Sequence, residues 1–204
     1  MRADLSQLRD RLAELESYLA QAGAVSDLPT GLAPDQARRL AEESGLRLTD
    51  ELVEFFSWHD GFGAFPTPMH NGPHSFTHSL KMTRTMKEQF ALETACELGM
   101  RIEEVWAPHW YAFGNVWGFM GGPVFDLSVV SEDPTPVLSL EIGDLRTSDY
   151  ATKAFDSLSD LVAAWNCHLK IGFDTWDPQE GIWQRNETNI HSPFTGTGAW
   201  MILA

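Results

Sequence analysis

Residues 46–61, LRLTDELVEFFSWHDG, carry the clearest helix signal in the chain. Thr49 is a typical N-cap, because its hydroxyl can accept a hydrogen bond from an N–H of the first helical turn. Asp50 and Glu51 occupy that turn, where the helix dipole favours negative charge, and Gly61 stands where a C-terminal cap is expected. The stretch therefore predicts a helix with one wide apolar face. The residues of this face are Leu52, Phe55, Phe56 and Trp58.

Two further helices are predicted on the N-terminal side of this stretch. Leucines recur at alternating spacings of three and four, which places them on one stripe of a helix that ends near Gly23. We interpret the stripe as packing on its own domain, although a short coiled-coil seam has the same pattern. Pro34 then begins a second helix, with Leu40 and Ala41 facing inward. The stripe consists of Leu5, Leu8, Leu12, Leu15 and Leu19.

Beyond residue 106 the pattern changes to short runs rich in aromatic and β-branched side chains, at 110–116, 123–130 and 136–142. Such runs favour strands, and the turn residues between them predict an antiparallel meander. A helix capped by Thr83 or Thr85 and a final helix capped by Asp156 or Ser157 flank the meander. Residues 172–204 have no clear period.

The predicted fold class is therefore α+β, with an antiparallel sheet flanked by helices. Hydrophobic residues make up 43% of the chain, a composition typical of one globular domain. We divide the chain into a helical lead-in packed on the domain (1–44), the domain itself (45–171) and a C-terminal extension (172–204).

The charge of the chain limits its partners. Its formal net charge is −15 at pH 7, which repels nucleic-acid phosphates and anionic lipid and favours a basic protein. A high charge also keeps a protein soluble whatever it binds, so that explanation stays open. We predict a protein partner, neither nucleic acid nor membrane, and a monomer or weak dimer.

The start of the chain and its cysteines favour a cytoplasmic protein. Met1 is followed at once by the charged first helix, without the apolar core of a signal peptide. Cys96 and Cys167 each fall within a predicted helix, a placement typical of buried, reduced thiols. We therefore expect the cytoplasm as its location.

Three parts of the chain together resemble the SUKH superfamily, which includes fungal cell-wall regulators of the SMI/KNR type. Residues 46–61 are similar to its opening helix, although Thr49 replaces the usual proline. Residues 106–114 (WAPHWYAFG) and 121–127 (GGPVFDL) resemble its paired strands, and 136–140 with 154–161 resemble its last strand and closing helix.

The resemblance implies a SUKH-like fold and a protein-binding module without catalysis or cofactor. Many bacterial members are immunity proteins that neutralise toxins, often nucleases, whereas fungal members are regulatory scaffolds. An immunity protein is our first hypothesis. The alternative is a scaffold in which the leucine-striped helix recruits a partner.

The predicted partner surface combines aromatic anchors with an acidic rim. Asp60 and Asp126 are included provisionally, since each could instead hold a turn by accepting backbone hydrogen bonds. A solvated acidic face is the alternative for the rim. The anchors are Trp58, Trp110 and Trp117, and the rim is Glu132, Asp133, Glu141, Asp144 and Asp149.

Three histidines form the one pattern that suggests a metal. His70, His74 and His78 recur every fourth residue and would align on a helix, but Gly72 and Pro73 between them argue against that helix. We interpret them as histidines of a surface loop. No phosphate loop, nucleophile elbow or His-Glu-x-x-His motif occurs, so we assign no catalytic residue, metal or cofactor.

Overall fold

The computed structural model describes residues 2–23, 28–62, 74–113, 123–140 and 151–185, the last without 178 and 181. Helices dominate the first half and the sheet follows them. The helices are α1 (Leu5–Ala22), α2 (Pro34–Glu43), α3 (Asp50–Trp58), α4 (Phe76–Thr85), α5 (Leu92–Leu98), α6 (Ile102–Val105) and α7 (Leu158–Lys170), and a π-helical segment, Met86–Ala91, joins α4 to α5. The strands are β1 (Trp110–Ala112), β2 (Pro123–Asp126), β3 (Val137–Leu140), β4 (Ala151–Phe155), β5 (Asp174–Asp177) and β6 (Ile182–Arg185).

Strands β1 to β4 form an antiparallel meander in the order β1-β2-β3-β4, and its first three strands are the predicted ones. Trp110 pairs with Asp126 across β1 and β2, and Val124 pairs with Leu138 across β2 and β3. The α+β prediction with an antiparallel sheet and an N-terminal helix is therefore confirmed. Two parts were not predicted: the edge strand β4, and a separate hairpin formed by β5 and β6.

The leucine stripe of α1 lies inside the protein. Leu8, Leu12, Leu15 and Leu19 are each at most 1% exposed and share a core with α3 and α7. Burying four leucines against the same chain supplies the packing energy that a short helix needs. The interpretation of the stripe as internal packing is confirmed. Because these leucines are buried, they cannot form a coiled-coil seam with another chain.

The caps of α1, α3 and α7 follow the local sequence rules. Asp4 caps α1 by accepting hydrogen bonds from two N–H groups of the first turn, and Thr49 caps α3 by accepting from Leu52 N–H at 3.4 Å. Of the two predicted caps of α7, Ser157 is the one used, accepting from Asp160 N–H. Side-chain acceptors at these positions satisfy donors that have no partner inside a helix.

The predicted start of α4 was wrong. The helix begins at Phe76 after an N-cap at Ser75, and Thr83 and Thr85 lie near its C-terminal end. Thr83 instead donates its hydroxyl hydrogen to Ser79 C=O at 2.8 Å and accepts from Ala112 N–H at 2.9 Å. A residue that looked like a cap therefore fastens α4 to β1.

Two smaller predictions also need correction. His78 lies in α4, so it is not a loop histidine. Cys96 is exposed and Cys167 is half-buried, so the prediction of buried thiols was wrong, although both residues do lie in helices. Among the described helices, none has a stretch long and apolar enough to cross a lipid bilayer.

Candidate partner-binding site

The connection between β2 and β3, residues 127–136, presents an apolar side chain beside carboxylates; we call it the β2–β3 turn. Val130 is 55% exposed, the largest exposed fraction of the bulky apolar side chains in the described residues. Glu132 is exposed and Asp133 is half-buried. Asp133 N–H donates to Val130 C=O at 3.0 Å, which closes a tight turn. Two residues of the predicted acidic rim thus lie in the same turn as an exposed valine.

Two distant segments hold the backbone of this turn. Ala3 N–H, just before α1, donates to Glu132 C=O at 2.6 Å. Asp50 N–H, in the first turn of α3, donates to Ser131 C=O at 2.7 Å. Each bond links the turn to an element far away in sequence, so the turn has a fixed position on the domain. A loop fixed in this way loses little conformational entropy when it binds a partner.

The buried carboxylate of Glu51 supports the end of the turn. Glu51 is 1% exposed and accepts hydrogen bonds from Thr135 N–H at 2.6 Å, Leu158 N–H at 3.3 Å and Ser159 N–H at 3.4 Å. The hydroxyls of Thr49 and Thr135 form a further hydrogen bond beside it. Burial raises the pKa of the Glu51 carboxyl, while the three N–H donors oppose that shift. Glu51 thus joins α3, the turn and the start of α7.

Asp126 stands at the end of β2, where the turn begins. Its Oδ1 accepts from Ser128 N–H at 2.9 Å and lies 3.2 Å from His109 Nε2. The backbone of Leu127 donates to His109 C=O at 3.0 Å. Asp126 therefore accepts a backbone hydrogen bond within the turn, which was the alternative prediction to a role in binding. Its side chain keeps 25% exposure, so a partner could still touch it.

Two further carboxylates, Asp4 and Asp50, lie where distant segments hold the turn. Asp4 follows Ala3 directly and is exposed; the hydroxyl of Ser6 and nearby backbone N–H groups lower the pKa of its carboxyl. Asp50 lies 2.6 Å from Arg38 in an ion pair, which neutralises part of the local negative charge. Glu132 makes no ion pair with any residue of the described ranges.

The predicted aromatic anchors are placed elsewhere. Trp110 is 9% exposed and packs edge-on against Trp106 at a ring distance of 5.7 Å, so it belongs to the core and not to a surface. Trp58 is half-buried, and its indole Nε1–H donates to Glu16 at 3.0 Å. The bulk that made these residues attractive anchors instead fills the interior.

The remaining predicted residues divide into two groups. Asp60 accepts a hydrogen bond from Phe76 N–H at 2.6 Å and so holds the start of α4, which is a structural role. Trp117, Glu141, Asp144 and Asp149 lie outside the described residues, as does His70. The rings of His74 and His78 are 4.4 Å apart, and burial lowers the pKa of His74. Within the described ranges, no three side chains of His, Cys, Asp or Glu are grouped closely enough to bind a metal.

Sequence reasoning missed Val130 and Glu51. Val130 was included in a predicted strand, and a strand valine is ordinarily buried. Glu51 was assigned to the helix dipole, yet it lies four residues before Phe55, on the same face of α3. That spacing was the available signal that its side chain points into the protein.

Comparison with known proteins adds no family. No protein-family model matches the chain. A search of curated proteins found no match either. The resemblance to the SUKH superfamily therefore rests on the residues quoted above.

Proposed function

We propose that this chain is a protein-binding module that captures a basic protein through the β2–β3 turn. As the SUKH resemblance implies, the partner would be a bacterial toxin, such as a nuclease, and this chain its immunity protein. The observation that carries the proposal is an exposed valine, followed closely by two carboxylates, on a turn that distant segments hold in place. Exposed apolar side chains with a polar rim are typical of protein interfaces.

The two kinds of side chain would contribute differently. Burying Val130 removes apolar surface from water and would slow dissociation. Glu132 and Asp133, together with the net charge of −15, would attract a cationic surface and speed association. The fixed backbone would reduce the entropy lost on binding.

Binding, without chemistry on the partner, is sufficient for this function. An immunity protein that covers a toxin's active surface needs no nucleophile, metal or cofactor, and we assign none to this chain. Interception of a toxin inside the cell also accounts for the proposed cytoplasmic location. Nucleic acid is disfavoured as a direct partner because the net charge repels its phosphates.

A specific charge-reversal experiment tests the proposal. The protein encoded beside this gene is purified as the candidate partner, and binding kinetics are measured at several salt concentrations. Glu132→Lys combined with Asp133→Lys should lower the association rate by about tenfold at low salt and weaken its salt dependence. The matched control is Glu93→Lys with Glu97→Lys, which changes the net charge equally on exposed positions of α5.

Protection of growing cells gives the functional readout. Cells that produce the neighbouring protein should survive when this chain is present, and the turn variant should protect less than the α5 variant. Equal binding by both variants would contradict the assignment of the surface. Absence of any complex and of any protection would contradict the immunity function.

The scaffold alternative makes a different prediction. It assumed that the leucine stripe of α1 recruits a partner, but those leucines are buried in the core. A scaffold would therefore need another surface. Reproducible recovery of housekeeping complexes, without a toxin, would favour this alternative.

A further inference from the structure

A groove runs between the end of α2 and the outer side of α4. It has two lobes, of about 380 Å³ and about 260 Å³, which share Ser44, Leu80 and Arg84 in their walls. Leu40 and Leu80 are half-buried and supply apolar surface to the first lobe, while Pro108 lines the second. The groove is distinct from the β2–β3 turn, since none of its lining residues lies between 127 and 136.

The groove is bordered by cations in a strongly acidic protein. Lys81, Arg84 and Lys87 are exposed, follow one another every third residue and line the groove. None of them makes an ion pair with another residue of the described ranges. Residues 61–87 contain no Asp or Glu, although the whole chain has 29. The sign of the local charge is thus opposite to that of the protein.

Two carboxylates also line the groove and reduce this positive charge. Glu43, in the first lobe, lies 3.9 Å from Arg39, a cation outside the lining. Glu88, in the second lobe, is exposed. Three cations against these two carboxylates still leave an excess of positive charge, with Arg84 in both lobes.

One residue that lines the second lobe carries a buried donor without an acceptor. Trp106 lines this lobe and is 1% exposed, and its indole Nε1–H has no hydrogen-bond acceptor within the described part of the chain. Leaving such a donor unsatisfied is unfavourable, and buried polar groups are nearly always paired. The nitrogen itself is shielded from solvent, so a ligand oxygen would satisfy it after a small opening of the lobe.

The helix that borders the groove is irregular at this point. The π-helical segment Met86–Ala91 interrupts an otherwise continuous helix from 76 to 98, and two of its residues, Lys87 and Glu88, line the second lobe. π-helical turns are rare and frequently occur at functional sites. This irregularity is independent of the charges and of the unpaired indole.

We propose that this groove binds a short, extended acidic segment of a partner protein. The carboxylates of the segment would face Lys81, Arg84 and Lys87, and its apolar side chains would cover Leu40 and Leu80. From Lys81 to Lys87 the helix rises about 9 Å, which matches about three residues of extended chain. The occupant is opposite in charge to the partner of the β2–β3 turn, so the two sites would bind different surfaces.

Peptide binding tests this inference without knowledge of the natural partner. The probe is a fluorescein-labelled hexapeptide of alternating leucine and glutamate, and the comparison peptide has glutamine in place of each glutamate. We expect saturable binding of the acidic probe, measured by fluorescence anisotropy, with a Kd of about 1 mM or below. The chemical shift of the Trp106 indole N–H should move in the same titration, with Trp106→Phe used to assign its signal.

Two pairs of substitutions locate the binding. The double substitution Arg84→Gln with Lys87→Gln should raise the Kd for the acidic probe about tenfold, because it removes two cations from the groove. Arg101→Gln with Lys153→Gln removes two exposed cations elsewhere and should leave the Kd unchanged. Thermal melting of both double variants confirms that each remains folded.

Four results would overturn the inference. These are no saturable binding, equal binding of the glutamine peptide, equal weakening by both pairs of substitutions, and saturation of the groove by free glutarate as readily as by the acidic peptide. The last result would identify a site for small carboxylates. Because the groove variants leave the β2–β3 turn intact, their failure would not bear on capture of a basic partner.

Discussion

Glu51 accepts a hydrogen bond of 2.6 Å from the backbone N–H of Thr135, a residue 84 positions further along the chain. The same carboxylate accepts from two N–H groups at the start of α7. One buried side chain thus satisfies backbone donors of the β2–β3 turn and of the start of α7. The geometry of the β2–β3 turn depends on it.

Replacing this carboxylate should destabilise the protein. Glu51→Ala would leave three buried N–H donors without an acceptor and should lower the free energy of unfolding by about 3 kcal/mol. The control is Glu54→Gln in the same helix, whose solvent-exposed ion pair with Arg9 contributes little to stability. Urea denaturation measures both, and a loss for Glu51→Ala as small as that of the control would contradict this role.

The raised pKa of Glu51 predicts a pH dependence of a definite sign. Burial raises the pKa of the carboxyl in the folded protein above its unfolded value, so the folded state binds the proton more tightly. The stability that this proton linkage contributes is fully present below the unfolded pKa of about 4.3 and is lost as the pH rises through the folded pKa.

The comparison with Glu51→Gln isolates this linkage from the other carboxylates. The free energy of unfolding of the wild type, minus that of Glu51→Gln, should decrease as the pH is raised through the folded pKa. Denaturation at a series of pH values gives this difference. A difference that stays constant, or that increases with pH, would show that the pKa of Glu51 is not raised by folding.

Val130 should matter for binding and not for folding. Because its side chain is 55% exposed, Val130→Thr should change the free energy of unfolding by less than about 0.5 kcal/mol. Loss of apolar contact at the interface should weaken binding of the partner by about 1 kcal/mol, which is about fivefold in Kd. Leu92→Gln, at another exposed apolar residue, is the control. Unchanged affinity for Val130→Thr would remove this residue from the interface.

The features of the fold that could be predicted from sequence are those that depend on neighbouring residues. The cap of α3, the leucine stripe and the meander depend on local spacing, and all three are present in the structure. Strand β4 was missed because it is an edge strand with exposed residues such as Thr152 and Lys153, so it lacks the apolar run that marks an inner strand.

The candidate site was harder to predict because its contacts are distant in sequence. Glu132 and Asp133 were proposed from their charge, but their support by Ala3 and Asp50 depends on how the helices pack. The exposure of Val130 likewise follows from where β2 ends, a boundary that local pattern does not determine. Trp110 shows the opposite error, since a bulky aromatic ring predicted at the surface fills the core.

Thr83 provides a test of how the helices are fastened to the sheet. Its hydroxyl oxygen accepts from Ala112 N–H at 2.9 Å, and the residue is only 8% exposed. Thr83→Val keeps the shape of the side chain but leaves that N–H without its acceptor, which should cost about 2 kcal/mol. Thr85→Val is the matched control, because Thr85 only donates to Lys81 C=O within its own helix and should cost less than about 0.5 kcal/mol.

Hydrogen exchange distinguishes this link from a general loss of packing. If Thr83 fastens α4 to β1, the Ala112 amide should exchange faster in Thr83→Val than the global loss of stability accounts for, because its hydrogen bond is removed directly. The amide of Val124, which lies opposite Ala112 in the register, should change only with global stability. Equal acceleration of both amides would mean that Thr83 acts through packing alone, since only a direct hydrogen bond makes Ala112 differ from its neighbour across the sheet.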